Sequence, residues 1–257
     1  MRWTERQQAL LRELGLRLWQ PGDAAGAAPP LPDVAPDVAP DAAADAAPAA
    51  PAAAPAAGLD WPGLRAAVAG CRACGLCESR RQTVFGVGHP HAHCMVVGEA
   101  PGEQEDLQGE PFVGPAGKLL DRMLAALGLT RGAADAERQV FIANTLKCRP
   151  PRNRNPTAEE LAACQPFLER QVALVQPRVI LAMGRFAVQS LLGSDEPIGR
   201  LRGRLHRWRG VPLVVTYHPA YLLRQPADKA RAWDDLCLAA SCLQAPPARP
   251  TLSPSPP

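Results

Sequence analysis

The sequence predicts an α/β fold, a three-layer α/β/α arrangement around a central parallel sheet of about four strands, on three observations. Four short apolar runs, partly β-branched, occur at about 93–98, 140–146, 179–184 and 211–217. Segments with apolar residues at three- and four-residue intervals separate them, and strands alternating with helices build a parallel sheet covered on both faces. Finally, 257 residues of which 47% are hydrophobic can bury one good core.

The elements follow in chain order. Trp3, Leu10, Leu11, Leu14, Leu18 and Trp19 recur at helical spacing, so residues 1–20 read as an amphipathic helix, with Thr4 as its cap. Residues 21–57 hold 18 Ala and 9 Pro among 37 positions and no aromatic residue. Such a stretch buries too little to order its backbone and reads as a disordered linker. Its proline content favours extended segments, giving a reach of up to roughly 100 Å. A single domain is expected over 58–245, followed by a disordered tail at 246–257. Within the domain, Leu119, Leu120, Met123, Leu124 and Leu127 mark a helix from Ala116 that stops at Gly128. Thr157 with Glu160 forms a capping box for a helix carrying Leu161, Cys164 and Leu168. Residues Arg185 to Leu192 and Asp228 to Leu243 supply two more.

Charge and cysteine usage narrow the function. The net charge is +3, but residues 1–57 carry four Arg against two Glu and five Asp. The remainder is therefore +3 − (−3) = +6, a balance that suits a polyanionic partner. No run of 18 apolar residues occurs and the amino terminus lacks a signal-peptide pattern, so a soluble, cytoplasmic protein and no membrane partner are expected. In a reducing compartment the eight cysteines are ligands or buried thiols rather than disulfides. Cys71, Cys74 and Cys77 lie in CRACGLC, Cys148 in TLKCRPP, and Cys164 on a helix. Spacing alone leaves zinc and an iron-sulfur cluster both open. Cys94, Cys237 and Cys242 read as packed thiols.

Two loops carry the chemistry. The first, GEAPGEQED at residues 98–106, follows the first strand; the second, HPAYLLR at 218–224, follows the last. In a parallel sheet, loops at the carboxyl ends of strands border the ligand crevice. That rule brings the segments beginning at Gly98, Asn144 and His218 to one edge.

Together with the cysteines, these motifs resemble the family 4 uracil-DNA glycosylases, the iron-sulfur branch of that superfamily. The resemblance covers about residues 68–240. It implies a [4Fe-4S] cluster on Cys71, Cys74, Cys148 and Cys164, with Cys77 as second choice because C-x2-C-x2-C is also a ferredoxin-like spacing. It also implies that Phe112 stacks on a flipped uracil, that Asn144 reads the base edge and that His218 donates toward uracil O2 as the bond breaks. An amide offers uracil an acceptor for N3–H and a donor for O4, whereas cytosine presents the opposite pattern. Ala100 stands where family 1 enzymes carry the Asp of GQDPY, so water activation falls to Glu99 or Glu105, with Glu99 favoured. Glu99 also argues against family 5, whose loop lacks a carboxylate there. Tyr221, Leu222 and Leu223 are expected to enter the minor groove, with Arg224 and Arg149 near phosphate. The Arg-rich runs around 147–154 and 200–209 are expected on the same edge.

The leading expectation is a monomeric, monofunctional hydrolase acting on uracil in single- or double-stranded DNA to start base excision repair. A covalent uracil-trapping relative would carry an extra histidine-containing loop that LKCRPPRNRNP lacks. A non-catalytic iron-sulfur DNA-binding module would explain the cysteines and arginines but not Glu99, Phe112, Asn144 and His218 together. The amino-terminal helix has the form of a docking peptide for a replication or repair protein.

Overall fold

In chain order, the computed structural model, which describes residues 56–244, has helices α1 (Trp61–Ala69) and α2 (Leu76–Ser79) and strands β1 (Val87–Gly88) and β2 (Cys94–Gly98). Next come α3 (Glu103–Gln108), α4 (Pro115–Ala125), β3 (Phe141–Asn144), α5 (Ala158–Val175), β4 (Val179–Met183) and α6 (Arg185–Leu192). The chain continues with α7 (Ile198–Leu201), β5 (Leu205–Trp208), β6 (Val211–Thr216), α8 (Pro219–Arg224) and α9 (Lys229–Gln244). The expected helix over 1–20, nearly all of the linker and the tail lie outside the described residues. Ala56 is already buried among core side chains, so the packed domain starts two residues before the expected boundary.

The sheet runs in the order β1-β3-β2-β4-β6-β5. Its four central strands are the four apolar runs, all parallel to one another. Two antiparallel edges, β1 on β3 and β5 on β6, extend it to six. Neither edge showed in the sequence, because β1 spans only two residues and β5, LHRW, lacks a continuous apolar face.

Alternation along the strands divides the core in two, as a period of two requires. Met95, Val97, Phe141, Ala143, Ile180, Ala182, Leu213 and Val215 face α1, α5 and α6. Val96, Ile142, Leu181 and Val214 face α4 and α9. The chain thus leaves β2 toward one face and β3 and β4 toward the other. A crevice opens between the carboxyl ends of strands whose connections diverge in this way.

Helix ends match the residues that set them. The Thr157 hydroxyl accepts from the Glu160 N–H at 3.2 Å and the Glu160 carboxylate accepts from the Thr157 N–H at 2.9 Å, the reciprocal pair of a capping box. Pro115 opens α4 at a position where its missing N–H costs nothing.

Candidate active site and cysteine pocket

Glu99, Ala100, Glu105, Phe112, Asn144, His218, Tyr221 and Arg224 line one cleft of about 490 Å³ at the carboxyl edge of the sheet. They come from the exits of β2, β3 and β6, the convergence that the sequence motifs predicted. Pro150, Asn153, Arg154 and Asn155 also line it, and of these the sequence reading had noted only Arg154, as part of a basic run.

Asn144 ends β3 and is buried, yet among the described residues its side-chain oxygen has no hydrogen-bond partner. A buried acceptor without a donor is costly, so such a group in a cleft is poised for a ligand N–H. Space around it is set by glycine. A Cβ at Gly98 would lie 2.5 Å from both the Asn144 side-chain oxygen and the Phe112 ring. Phe112 has φ of 55°, an uncommon conformation for a bulky residue. Gly117 makes it possible, since a Cβ there would sit 1.6 Å from the Phe112 carbonyl oxygen.

The Phe112 loop is tied to the β2 loop through Glu105. Its carboxylate accepts from the Gly102 N–H at 3.0 Å and from the Val113 and Gly114 N–H groups at 3.0 and 3.3 Å. Both oxygens are therefore occupied. Glu99 is different: among the described residues it has no such clamp, and burial raises its carboxyl above the ordinary glutamate range. Its backbone carbonyl accepts from the Thr145 hydroxyl at 2.5 Å and the Leu146 N–H at 3.1 Å, which binds the β2 exit to the β3 exit. Asp106, also in the acidic motif, turns inward to accept from the Arg81 N–H at 3.0 Å. Glu103 faces solvent and pairs with Arg149 at 3.8 Å.

The His218 ring lies 5.3 Å from the Phe112 ring in a stacked arrangement. Its Nδ1 accepts from the Ala220 N–H at 3.2 Å, which leaves the proton of a neutral imidazole on Nε2. Burial, then the nearby Arg224 charge, push its pKa down to about 4, so the ring is neutral near pH 7.

Two expectations about DNA contacts need correction. Leu222 is 1% exposed, because α8 packs on α4, whereas Leu223 is 44% exposed. Of the three wedge candidates, Leu223 projects outward and Tyr221 lies in the cleft, its hydroxyl donating to Asp228 at 2.7 Å. The basic runs also divide. Lys147 is wholly buried, and Arg202 is tied to the buried Asp235 at 2.9 Å. Antiparallel pairing puts Trp208 opposite Val211, so Arg207 and Arg209 lie toward the far edge of the sheet, away from the cleft.

A second pocket is lined by Cys71, Cys74, Cys77, Cys148 and Cys164, with Val68, Ala73 and Phe167 among its apolar walls. Arg80 braces it, donating to the Cys148 sulfur at 3.0 Å and to the Cys71 carbonyl at 2.8 Å. Burial pushes the Cys164 thiol up to about 12 and raises Cys74 and Cys148 as well. Among the described residues, no three potential ligands converge on a point suited to a single ion. Cys94 is buried as expected, but Cys237 is exposed, since its position on α9 falls outside the buried stripe of Leu236 and Ala239.

The chain belongs to the uracil DNA glycosylase superfamily, whose family model matches residues 85–237, more than half of the chain. A type-4 uracil-DNA glycosylase of Archaeoglobus fulgidus is 44% identical over 167 residues, covering 62% of this chain and 81% of that protein. One of Pyrobaculum aerophilum is 39% identical over 188 residues, 70% of this chain and 93% of that protein. A type-5 enzyme of the same organism is more distant, 33% identical over 52% of this chain and 64% of its own length. The chain belongs to the type-4 uracil-DNA glycosylases.

Proposed function

We propose that this protein is a monofunctional uracil-DNA glycosylase that extrudes uracil from DNA and hydrolyses its N-glycosidic bond, initiating base excision repair. The observation that carries the reading is the meeting of Glu99, Phe112, Asn144 and His218 in one cleft. Each supplies a separate requirement. Phe112 offers a ring face for the flipped base, and the unpartnered Asn144 oxygen offers an acceptor to uracil N3–H. The Asn144 amide hydrogens then suit O4. Cytosine, with an acceptor at N3 and a donor at N4, meets the wrong pattern at both positions.

As the glycosidic bond breaks, negative charge gathers on the uracil ring. The neutral His218 imidazole donates from Nε2 toward O2 and needs no reorganisation to do so. Glu99 orients and activates water, since its carboxylate is not consumed by backbone donors as that of Glu105 is. Ala100 lines the same cleft and borders the bound uracil. On the DNA side, Leu223 is the apolar wedge and Tyr221 borders the emptied site. Arg224 and Arg149 contact phosphate.

The cysteine pocket suits a [4Fe-4S] cluster on Cys71, Cys74, Cys148 and Cys164. Five cysteines lining one apolar pocket supply the thiolate set that such a cluster requires. When bound, the cluster supplies a covalent cross-link among the α1–α2 turn, the segment after β3 and α5. Among the described residues no helix is long and apolar enough to cross a membrane. A monomer acting in the cytoplasm accords with the reading, and single- and double-stranded DNA are both candidate substrates. Incubation of the purified protein with a uracil-containing oligonucleotide, followed by alkali, tests the function: strand scission at uracil and not at cytosine is expected. Intact strands would refute it.

A further inference from the structure

Lys147 is 1% exposed, and a lysine so placed demands a reason, because removing an ammonium from water is costly. Its Nζ donates to the backbone carbonyl of Asn144 at 2.7 Å and to the Gln171 side-chain oxygen at 2.7 Å. Gln171, itself fully buried on α5, donates onward to the Phe85 carbonyl at 2.8 Å. The Lys147 backbone N–H donates to the Cys164 sulfur at 3.4 Å. Its side-chain partners are two neutral oxygens, one of which belongs to the residue that ends β3 inside the cleft.

We infer that Lys147 is a positioning residue for base recognition: anchored by Gln171 and by the cysteine pocket, it holds the Asn144 peptide so that the Asn144 amide meets the uracil edge. The inference rests on the uracil-excision reading and adds a physical link between pocket and cleft. Asn144 is the last residue of β3, paired with Gly98, and its carbonyl accepts from the Lys147 ammonium. On one side, the Thr145 and Leu146 N–H groups bind this strand end to the Gly98 and Glu99 carbonyls. On the other, the ammonium joins the Asn144 carbonyl to Gln171 of α5, while the Lys147 N–H ties the same residue to Cys164. Displacement of a recognition group by about 1 Å can cost on the order of 10²-fold in rate. An apolar residue at 147 would pack in the same volume and leave two buried oxygens without donors.

The test compares wild type with Lys147→Met and Gln171→Met, each assayed for iron content, affinity for an oligonucleotide carrying a tetrahydrofuran abasic analogue, affinity for free uracil by calorimetry, and single-turnover excision. Lys147→Met that retains iron and DNA affinity should bind free uracil more weakly. Its excision should be slower by roughly 10- to 100-fold. Gln171→Met should shift uracil affinity and rate the same way by less. Wild-type uracil affinity and rate in iron-loaded Lys147→Met would overturn the inference. If that variant fails to fold or load iron, Gln171→Met decides: weaker uracil binding at full iron content supports the role, and unchanged binding refutes it. A wild type that neither binds nor excises uracil overturns the reading underneath, so the two failures are distinguishable.

Discussion

The cysteine pocket and the uracil cleft sit at opposite ends of one short segment, Asn144 to Cys148, yet burial acts on them differently. In the pocket, desolvation raises the thiols, with Cys164 reaching about 12, so a bound metal must displace their protons and bring the compensating charge. In the cleft, desolvation holds His218 neutral and raises Glu99, and one acceptor of Asn144 stays unpaired. The first environment is resolved once, on assembly. The second is left unresolved until a substrate arrives, the condition under which a site can stabilise a transition state more than a ground state.

Breaking the pocket should produce the largest effect. Cys164→Ala or Cys148→Ala is expected to lose iron and lower the melting temperature by roughly 10 °C, at about 3 °C per kcal/mol for a domain of this size and a few kcal/mol of lost binding. Elemental analysis and thermal denaturation read both outcomes. Zinc in place of iron, or full iron in Cys164→Ala together with its loss in Cys77→Ala, would overturn the ligand set.

Breaking the cleft should instead leave the fold intact. His218→Ala is expected to slow excision by roughly 10²-fold or more, the cost of one preorganised donor, with DNA affinity nearly unchanged. Asn144→Asp should lower the preference for uracil over cytosine, since a carboxylate cannot donate to O4. Paired oligonucleotides carrying each base measure the ratio; unchanged discrimination would remove Asn144 from base reading.

The acid side of the pH profile sharpens the contrast further. In its proposed role Glu99 is ionised to orient water, and its carboxyl is raised by burial, so activity is expected to be lost as pH falls through a value above that of an ordinary glutamate. His218, at about 4, stays neutral there and does not set this limb. It does set a stability slope. Its folded pKa lies below the free imidazole value near 6.5, so the unfolded chain binds more protons between about 6.5 and 4 and stability falls as pH drops through that window. Single-turnover rates against pH should show this acid limb disappear in Glu99→Gln, while His218→Ala should flatten the stability slope.

The sequence exposed those parts of the molecule that depend on local pattern. Four parallel strands, the Thr157 cap and the meeting of three strand-end loops all follow from apolar periodicity and from where loops fall in a parallel sheet. What escaped depends on partners distant in sequence. Lys147 sits in a run that looks like phosphate-binding surface, and only Gln171, 24 residues on, shows it to be interior. Leu222 and Leu223 are chemically alike, and the packing of α8 on α4 alone decides which faces out. Glu105 and Glu99 share one motif, and the backbone amides of residues 113 and 114 separate their roles.

The smallest effect is expected from the segment that belongs to neither region. Residues 1–20 have the spacing of an amphipathic helix with two tryptophans, and the Ala/Pro stretch after them is long enough to act as a tether. We propose that this segment recruits a replication or repair protein and raises the local concentration of the enzyme on DNA. Deletion should stop at residue 55, because Ala56 is buried in the core and its loss would open a defect unrelated to recruitment. The truncated protein is expected to excise uracil from a short oligonucleotide at nearly the wild-type rate and to melt at nearly the same temperature. A large fall in melting temperature would mean that Trp3, Leu14 and Trp19 pack onto the glycosylase domain, and the recruitment proposal would lose its basis.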